Sequence, residues 1–415
     1  MNYDCIIIGG GPAGLAAALE ATRKKLRVLV VEREAKTGGI LKQCIHDGFG
    51  VVRFQEKLSG PEYAWRFINE VRNTDAEIKT FAFVSKIEKL KDGYLVKVVD
   101  QEGVHDYTTK NVILATGCRE RTRNQIFIPG TRPAGIYTAG SAQYLVNRLG
   151  ISPGKKIVIL GSGDIGLIMA RRLTLEGAEV IGVYEIKNTP SGLSRNIMQC
   201  LHDFNIPLHL SRTVTNIFGR DRIEAVGISK VDERMNIIPG TEEIIECDTL
   251  ILAVGLIPEN ELGENIGLNI DVKTKGPIVD QNMMTNLPGV FAVGNCLHVN
   301  DLVDYVSESA EIAAKALETK YPERKLVKIE ISPEIMYLVP QLLNLNGDLN
   351  DLKFYFRSQD IYENCKLILN IDGKDLWSKK FTKLLPPEMQ RLKLSLGNYS
   401  LNENSKIFFR IEVNS

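Results

Sequence analysis

Two short glycine-rich stretches have the residue types and the spacing that suit the binding of a dinucleotide. The first stretch places Gly9, Gly11 and Gly14 in the pattern Gly-x-Gly-x-x-Gly, with Pro12 and Ala13 between the second and third glycines. The first glycine of this pattern allows a tight turn, the second lets a pyrophosphate approach the backbone, and the third lets a helix pack closely on a strand. The start of that helix also presents N–H groups with a partial positive charge. The stretch therefore predicts a dinucleotide site.

The elements around the first stretch are those that such a site requires. An apolar run at 3–8 predicts a buried strand, a helix pattern follows over 13–24, and a second strand is predicted over 27–31. The second strand ends at Glu32, 18 residues after Gly14, where a carboxylate accepts hydrogen bonds from ribose hydroxyls. A glycine-rich turn without a ligand is the less favoured interpretation.

Two further features indicate FAD as the ligand of this first site. Gly38 and Gly39 follow the carboxylate, an arrangement that resembles flavoproteins with two dinucleotide sites. An apolar run over 109–117 ends in Ala-Thr-Gly, with Thr116 and Gly117 as its last residues, and resembles the crossing strand of the same superfamily. The run over 109–117 alone also fits an ordinary buried strand followed by a glycine turn.

Residues 285–295 look like the distal FAD motif of these flavoproteins, and they end at Gly294 and Asn295. Aspartate is usual at the position of Asn295. An asparagine still accepts a hydrogen bond from a ribitol hydroxyl, although it adds no negative charge. The motif therefore predicts contacts to the distal half of FAD.

A helix pattern follows the distal motif from residue 302 to about Thr319. In the fold that the motif implies, the positive N-terminus of this helix faces the flavin pyrimidine ring and stabilises the reduced anionic form. His298, Asp301 and Asp304 cluster at this end. They either line the flavin or substrate pocket or cap the loop.

The second glycine-rich stretch repeats the pattern of the first. Gly161, Gly163 and Gly166 are spaced as Gly-x-Gly-x-x-Gly, with Asp164 and Ile165 between the second and third glycines. The same physical roles of the three glycines predict a second dinucleotide site.

The elements around the second stretch favour NAD as its ligand. A strand is predicted at 156–160, a helix at 167–176 and a second strand at 179–184, which ends at Glu185. A carboxylate at this place favours a ribose 2′-OH and repels a 2′-phosphate, so NAD is preferred over NADP. A vestigial unit that binds nothing is the alternative.

The seven cysteines form no CxxC, CxxxxC or zinc-ligand spacing, so we expect neither a bound metal nor an internal redox dithiol. Their scattered positions suit thiols in a reducing compartment, and we expect a cytoplasmic protein. Cys44, next to Ile45 and His46, is a candidate for a single reactive thiol near the flavin. Such a role requires a lowered thiol pKa.

Composition excludes several classes of function. The 415 residues include 51 basic and 51 acidic side chains, so the net charge is zero, which argues against a general nucleic-acid binder. No apolar run of about 18 residues predicts a membrane span. The content of charged residues, 25%, is typical of a globular protein.

Three segments carry a resemblance to one family, at 115–123, 128–143 and 294–304. They resemble the NAD/FAD-dependent oxidoreductase that is often encoded beside a bacterial FAD-dependent glycerol-3-phosphate dehydrogenase, and also the FAD subunits of sarcosine, octopine and hydroxyproline dehydrogenases. The resemblance implies the pyridine nucleotide-disulfide reductase fold. It also implies other redox subunits or a small cysteine-rich protein as partners, with a homo-oligomer as a further possibility.

The C-terminal ninety residues change to short alternating runs separated by turn signals, which predict a small antiparallel β-sandwich for docking, dimerisation or passive stabilisation. The expected fold class is α/β, with two nested Rossmann-like domains for FAD and NAD and this added β domain. The expected segments are an FAD domain at 1–120 and 251–322, an inserted NAD domain at 121–250, and the β domain at 325–415.

Three functions fit these observations. The leading hypothesis is an FAD-dependent oxidoreductase that passes electrons between NAD(H) and a second redox partner, without an internal dithiol. The second is the FAD subunit of a multi-subunit amine, amino-acid or glycerol-3-phosphate dehydrogenase. The third is a non-catalytic assembly subunit that carries FAD.

Overall fold

A computed structural model describes residues 2–318 and 321–413 of the chain. Contacts divide the chain into two compact units: the first contains Met1–Cys118 together with Pro258–Ser415, and the second is Arg119–Ile257. The second unit is thus inserted into the first. The division into four segments that the sequence suggests stays a prediction.

The first part of the chain contains the elements that surround the first glycine stretch. In chain order they are β1 (Asn2–Ile8), α1 (Pro12–Arg23), β2 (Val28–Val31), a 3-10 turn (Gly39–Gln43), β3 (Asp47–Phe49), β4 (Leu58–Ser59), α2 (Gly60–Arg72), β5 (Glu77–Lys79), β6 (Phe83–Lys89), β7 (Tyr94–Asp100), β8 (Gly103–Leu114) and β9 (Cys118–Glu120).

The inserted part begins with a 3-10 turn (Arg123–Ile126). It continues with β10 (Ile136–Thr138), α3 (Ala139–Leu149), β11 (Lys156–Leu160), α4 (Asp164–Leu175), β12 (Glu179–Tyr184), α5 (Ser194–Cys200), a 3-10 turn (His202–Phe204), β13 (Leu208–His209), β14 (Arg212–Gly219), β15 (Ile223–Lys230), β16 (Glu243–Glu246), β17 (Thr249–Leu252) and β18 (Leu256–Pro258).

The last part returns to the first unit with α6 (Glu261–Asn265), β19 (Val290–Ala292), a 3-10 turn (Gly294–Cys296) and α7 (Val303–Lys315). The C-terminal strands are β20 (Leu326–Ile331), β21 (Ile335–Val339), β22 (Leu342–Asn344), β23 (Leu352–Ser358), β24 (Tyr362–Ile371), β25 (Lys374–Leu384), β26 (Gln390–Leu394) and β27 (Ile407–Val413).

The main sheet of the first unit runs in the order β5-β2-β1-β8-β7-β6, and β19 also pairs with β8. Strand β1 lies between β2 and β8 and is parallel to both, with Ile6 opposite Leu29 and Val112. These three side chains are fully buried, as is usual for the central parallel strands of a sheet. Helix α1 packs against α7, so both chain segments predicted to contact FAD belong to one hydrophobic core.

The second unit has its own parallel sheet in the order β10-β17-β11-β12-β13 and a smaller antiparallel sheet, β14-β15-β16. The strands predicted at 156–160 and 179–184 are confirmed with the same bounds. Helix α4 begins at Asp164, three residues before the predicted start. The glycine at 166 weakens the helical signal in the sequence, while the helix already begins after its N-cap, Gly163.

The C-terminal strands form two sheets, β22-β20-β27-β24-β25 and β21-β23-β26, which pack against each other around a hydrophobic core of their own. Rings of Phe354 and Phe409, one from each sheet, lie 5.4 Å apart. The predicted antiparallel runs are therefore found as strands, although β20 and β27 pair in parallel.

Helix α7 ends at Lys315, and the predicted end at Thr319 lies outside the described residues. Within the described part of the chain, no helix combines the length and the apolar character needed to cross a membrane.

Candidate functional site

The turn after β1 requires glycine at two of the three glycine positions of the pattern. Gly9 has a φ of +108°, and a Cβ there would lie 2.4 Å from the carbonyl oxygen of Ala115. A Cβ on Gly14 would lie 1.8 Å from the carbonyl oxygen of Gly9. Neither distance is possible for a real side chain, so the packing of α1 on β1 itself demands these two glycines.

Gly11 differs from the other two glycines, because the protein leaves room for a side chain there. Its backbone is extended, with φ −77° and ψ −171°, and a Cβ would meet only the Cα of Gly39, at 3.8 Å. Nothing in the fold of the chain therefore excludes alanine. The room for a side chain at Gly11 fits the close approach of a phosphate group to the backbone.

The start of α1 is equipped to receive an anion. Gly11 is the N-cap and supplies no side-chain hydrogen bond, and Pro12 occupies the first turn, where its missing N–H costs nothing. The N–H groups of Ala13 and Gly14 belong to the first turn of the helix, where donors have no partner within the helix. The helix dipole adds a partial positive charge at this point.

Glu32, directly after β2, holds the loop through hydrogen bonds to its carboxylate. Its carboxylate is buried, and Oε2 accepts a hydrogen bond of 2.7 Å from the N–H of Gly10. Oε1 accepts one of 2.8 Å from the N–H of Glu34. A carboxylate oxygen accepts two hydrogen bonds, so each retains capacity for a ribose hydroxyl.

The second glycine pair lies directly against this loop. The N–H of Gly38 donates to the carbonyl oxygen of Gly10 at 2.8 Å. A Cβ on Gly39, whose φ is +55°, would lie 3.0 Å from the Cα of Gly11. The pair therefore lies directly against the first glycine stretch, and its contact with FAD stays a prediction.

Thr116 and Gly117 follow β8 at the same end of the sheet. The Thr116 hydroxyl donates to the carbonyl oxygen of Glu259 at 2.7 Å, and Gly117 has a φ of +74°. The turn after β8 is thus fixed by contacts inside the first unit.

Cys44 lies at the end of the 3-10 turn that Gly39 begins. Its Sγ donates to the carbonyl oxygen of Ile40 at 3.4 Å, and burial raises the pKa of the thiol to about 12. A thiol with this pKa is protonated at neutral pH and is a poor nucleophile. The catalytic role of Cys44 stays a prediction that this environment does not favour.

The distal motif forms a closed loop. Gly294 has a φ of +64°, and its N–H donates to the hydroxyl of Ser309 at 2.9 Å. Asn295 Oδ1 accepts hydrogen bonds from the backbone N–H and the Nδ2 of Asn300, at 3.0 and 3.2 Å. Asn300 Nδ2 also donates to the carbonyl oxygen of His298 at 2.9 Å. The side chain of Asn295 is therefore held by the loop that it begins.

The histidine near the start of α7 is enclosed by aromatic rings. His298 is buried beside the rings of Tyr337 and Tyr355, and burial, with the nearby Arg357 guanidinium, lowers its pKa to about 3. Its Nδ1 has no hydrogen-bond partner among the described residues. The histidine is neutral at physiological pH.

The two aspartates near the start of α7 are also held by the chain. Asp301 pairs with Arg357, and Asp304 Oδ1 accepts a hydrogen bond of 2.7 Å from the N–H of Arg53. Asp304 is buried, and its Oδ2 has no partner within the described residues. Both positions therefore organise the loop, whereas a contact with a ligand stays a prediction.

The loop after β11 reproduces the geometry of the first loop. Gly161 has a φ of +101°, and a Cβ there would lie 2.2 Å from the carbonyl oxygen of Ala253. A Cβ on Gly166 would lie 2.6 Å from the carbonyl oxygen of Gly161. A Cβ on Gly163 would meet only the Ala253 oxygen, at 4.0 Å. The middle glycine again has room for a side chain.

Glu185 has the same position in its loop as Glu32 and a similar set of contacts. Its carboxylate is buried, and Oε2 accepts hydrogen bonds from the N–H and the hydroxyl of Ser162, at 3.0 and 2.6 Å. Oε1 accepts one of 3.1 Å from the N–H of Lys187. The carboxylate stands at the end of β12, where the ribose of a bound NAD is expected.

Asp164 and Ile165 begin α4 and differ in their surroundings. Asp164 Oδ1 accepts hydrogen bonds from the N–H of Leu193 and the Nδ2 of Asn196, at 2.8 and 2.7 Å. Ile165 is exposed. The contact of these two residues with NAD stays a prediction, and Asp164 has a structural role in holding the segment before α5.

Two residues of these loops have no clear signal in the sequence. Ser162 connects Glu185 to Ser191, because its hydroxyl accepts a hydrogen bond of 2.9 Å from the Ser191 N–H. Asn300 holds Asn295, as described above. A serine in a glycine loop and an asparagine five residues after the distal motif are weak signals, because both residue types are common in turns.

Each loop can hold one dinucleotide. Both combine a glycine with room for a side chain, a helix start without a side-chain cap and a buried carboxylate with remaining acceptor capacity. FAD and NAD share the adenosine and pyrophosphate parts that these features recognise. The donors and acceptors present therefore fit both cofactors.

Comparisons with known proteins agree with this geometry. The model of the family described as "Pyridine nucleotide-disulphide oxidoreductase" matches residues 3–318. A ferredoxin–NADP reductase from Metallosphaera sedula is 24% identical over 307 residues, which cover 72% of this chain and 86% of that protein. An opine oxidase subunit from Agrobacterium tumefaciens is 25% identical, and the match covers 71% of this chain and 61% of that protein.

Among solved structures, the thioredoxin reductase of T. acidophilum is similar, with a TM-score of 0.64 and 24% identity. The match covers 76% of this chain and 97% of that enzyme, and at this identity it shows the fold alone. The predicted α/β fold class with two Rossmann-like domains is confirmed. The C-terminal strands follow the part of the chain that the family model matches.

Proposed function

This chain belongs to the pyridine nucleotide-disulphide oxidoreductase family, and from this premise we propose that it passes electrons between NAD(H) and a second redox partner by way of FAD. Membership makes the chain an oxidoreductase that uses FAD and a pyridine nucleotide. The choice of NAD, the partner and the absence of a dithiol relay are parts of the proposal.

The observation that carries the proposal is the middle glycine of each loop. The outer glycines of both loops are demanded by the packing of the chain, but Gly11 and Gly163 are not. A glycine that the fold does not need is explained by a ligand that approaches the backbone at that point. Two such glycines support two bound dinucleotides.

The first unit would hold FAD. The start of α1 would bind the pyrophosphate, Glu32 the adenosine ribose, and Gly294 with Asn295 the ribitol side. When bound, the flavin would accept a hydride from the nicotinamide and release the electrons to a further acceptor. Glu32 keeps the loop in shape through Gly10, so the N–H groups of α1 are oriented before the ligand arrives.

The second unit would hold NAD(H). Oε1 of Glu185 would accept a hydrogen bond from a ribose hydroxyl, and the negative charge of the carboxylate would disfavour the 2′-phosphate of NADP. Lys187 contributes its backbone N–H to this carboxylate. The side chain of Glu185 is already oriented by Ser162, so little ordering is needed on binding.

We further propose that electrons leave the flavin to a separate partner. The sequence contains no CxxC or CxxxxC pair, and the cysteines occur as thiols without disulfides. A thiol pKa of about 12 at Cys44 does not suit a dithiol relay at that position. Seven thiols also suit a reducing compartment, so the cytoplasm is the proposed location.

A second candidate function is the FAD subunit of a multi-subunit dehydrogenase for an amine, an amino acid or glycerol 3-phosphate. The similarity to the opine oxidase subunit favours it, although the matched part spans 61% of that protein. In this case the reducing equivalents would come from the organic substrate instead of NADH.

An anaerobic stopped-flow titration of the purified, flavin-loaded chain tests the proposal. We expect the flavin absorbance to bleach within seconds when NADH is added, and to return when an electron acceptor follows. Bleaching by glycerol 3-phosphate or an amino acid, but not by NADH, would instead establish the second candidate. A folded chain that takes up no FAD would contradict both, as would one that no donor reduces.

A further inference from the structure

The strand β23 presents different side chains on its two faces. Leu352, Phe354 and Phe356 are buried in the core between the two C-terminal sheets. Tyr355 is buried as well, but it belongs to the core of the first glycine loop and α7. Arg357 lies on the same face as Tyr355, because successive residues of a strand alternate. One strand thus takes part in two cores.

Arg357 connects this face to the loop that precedes α7. Its Nη2 donates to Asp301 Oδ1 and to the carbonyl oxygen of Val299, the latter at 3.4 Å. Its Nη1 donates to the carbonyl oxygens of Pro386 and Pro387.

The fifth N–H of the Arg357 guanidinium is also used, since Nε donates to the Tyr337 hydroxyl at 3.0 Å. The side chain is only 12% exposed. A planar guanidinium with all five donors satisfied has a single well-defined orientation. Asp301 is held from a second side too, because Oδ2 accepts a hydrogen bond of 2.6 Å from the N–H of Met389.

The loop that Arg357 holds is the one that fixes the distal FAD motif. Val299 and Asp301 flank Asn300, whose N–H and Nδ2 both donate to Asn295 Oδ1. His298, one residue before Val299, packs against rings of the C-terminal domain. A continuous set of contacts therefore runs from β23 to Asn295.

A second ion pair attaches the same sheet to α7 itself. Arg391 donates from Nε and Nη2 to the two carboxylate oxygens of Glu308, at 2.7 and 2.5 Å. The Tyr355 hydroxyl donates to Glu308 Oε2 at 2.6 Å. Paired donation of this kind is directional, so it fixes the rotation of the helix relative to the sheet.

We propose that the C-terminal β domain is part of the flavin site, and that Arg357 is a positioning residue that holds the segment 295–301 in the conformation that binds FAD. The inference rests on the proposed function, because it assigns Asn295 to the flavin. Arg357 touches no part of the cofactor in this account. It acts through Asp301, Val299 and Asn300.

The physical effect of such positioning is preorganisation. A loop that is ordered before binding loses less conformational freedom when the ligand arrives, so affinity rises without a new contact. The family model ends at residue 318, before the first C-terminal strand. The β domain therefore adds its own contacts to a site that the matched part of the chain forms.

Equilibrium binding of FAD to the flavin-free full-length chain tests this role. For Arg357→Met we expect the dissociation constant to increase about tenfold, within the range typical of coupling between sites. Arg357→Lys retains a positive charge beside Asp301 but loses the fork of donors, so it should restore part of the affinity. The control is Arg410→Met, which removes an ion pair to Asp375 elsewhere in the β domain and should leave the constant within about twofold.

Hydrogen exchange of the backbone amides gives a second measurement that does not need the flavin. In the flavin-free chain, Arg357→Met should accelerate exchange in 295–302, whereas Arg410→Met should not. If the wild type binds no FAD, the proposed function fails and the inference about the flavin fails with it. Accelerated exchange would then leave Arg357 with a loop-ordering role alone.

Two results would overturn the inference while the proposed function stands. One is equal FAD affinity in the wild type and Arg357→Met, with NADH still bleaching the flavin. The other is an equal loss of affinity in Arg357→Met and Arg410→Met, which would mean general destabilisation. If Arg357→Met does not fold, Arg357→Lys is measured in its place. An FAD affinity and a hydrogen-exchange pattern of Arg357→Lys equal to those of the wild type would also refute the positioning role.

Discussion

The two nucleotide loops share a backbone geometry but differ in what covers them. In the first loop, Gly39 lies against Gly11, and the N–H of Gly38 donates a hydrogen bond to the carbonyl oxygen of Gly10. In the second loop, the segment before α5 is attached by polar contacts, from Ser191 to Ser162 and from Leu193 to Asp164. The helices that follow the loops differ as well, since eight of the twelve residues of α1 are buried but only five of the twelve residues of α4. Less buried elements open locally at a lower free energy.

This difference suits the two kinds of ligand that the proposal assigns. A resident cofactor benefits from a rigid, buried cradle, and α1 is buried along most of its length. A cosubstrate must enter and leave in every turnover, which a less deeply buried cradle permits. On this proposal, the same Gly-x-Gly-x-x-Gly spacing would serve a resident cofactor in one loop and an exchanging cosubstrate in the other.

The largest expected effects come from replacing the middle glycine of each loop, Gly11 and Gly163, in separate variants. We expect Gly11→Val to fold but to lose FAD, with affinity reduced at least about hundredfold, because the side chain occupies the space that a phosphate would take. Gly163→Val should keep FAD and lose reduction by NADH. Absorbance at the flavin band and stopped-flow bleaching measure both effects.

Gly14→Val serves as the control for these substitutions. Its Cβ would lie 1.8 Å from the carbonyl oxygen of Gly9, so this variant should fail to fold and should appear as insoluble or protease-sensitive chain. A Gly11→Val protein that retains one FAD per chain would show that the space above Gly11 does not receive the cofactor.

The pH dependence of the unfolding free energy should report on the buried His298 of the first unit. His298 has a pKa of about 3 in the folded chain and an ordinary value of 6.5 when unfolded. Between these values the unfolded chain binds a proton that the folded chain does not, so stability falls as the pH falls below 6.5. The slope approaches about 1.4 kcal/mol per pH unit, or about 2 kcal/mol by about pH 5.

Urea unfolding at about pH 7.5 and about pH 5 measures this effect. His298→Phe should lose the part of the pH dependence that His298 causes, while His202→Phe, at an exposed position of the second unit, should retain it. The groups that face His298 are Arg357, Tyr337 and Tyr355, and none of them titrates near neutral pH in this environment. An unchanged pH slope in His298→Phe would contradict the assignment.

The smallest expected effect concerns the choice of nucleotide in the second unit. Glu185→Ala should weaken the preference for NADH over NADPH about tenfold, which corresponds to about 1.4 kcal/mol. Glu179→Ala, at the exposed start of the same strand, is the matched control and should leave the preference unchanged. Initial rates with NADH and with NADPH measure this preference. An unchanged ratio of the two rates in Glu185→Ala would remove this carboxylate from the specificity site.

Much of the nucleotide-binding fold could be predicted, because its signals are local. Apolar runs bounded by glycine indicate β11 and β12 with the observed ends, and a carboxylate at a fixed distance indicates Glu185. These features follow from the burial of both faces of a parallel strand. The geometry of the two loops could be anticipated for the same reason.

Other parts have no local signal. Strand β25 is mostly exposed and rich in lysine, so its sequence shows no regular alternation and does not predict a strand. The role of Arg357 depends on Asp301, which lies 56 residues earlier in the chain. A single sequence does not reveal such a pair, and the hydrogen bonds of Asn300 are equally hidden.

Strand β23, whose side chains belong to two cores, has a consequence for how the protein unfolds. Since its alternate side chains are shared between the sandwich and the core beneath α7, neither can melt without removing support from the other. Cutting the chain before residue 325 would bare the aromatic and charged contacts of α7 to water. A chain shortened in this way would therefore be more prone to aggregation than the full-length protein.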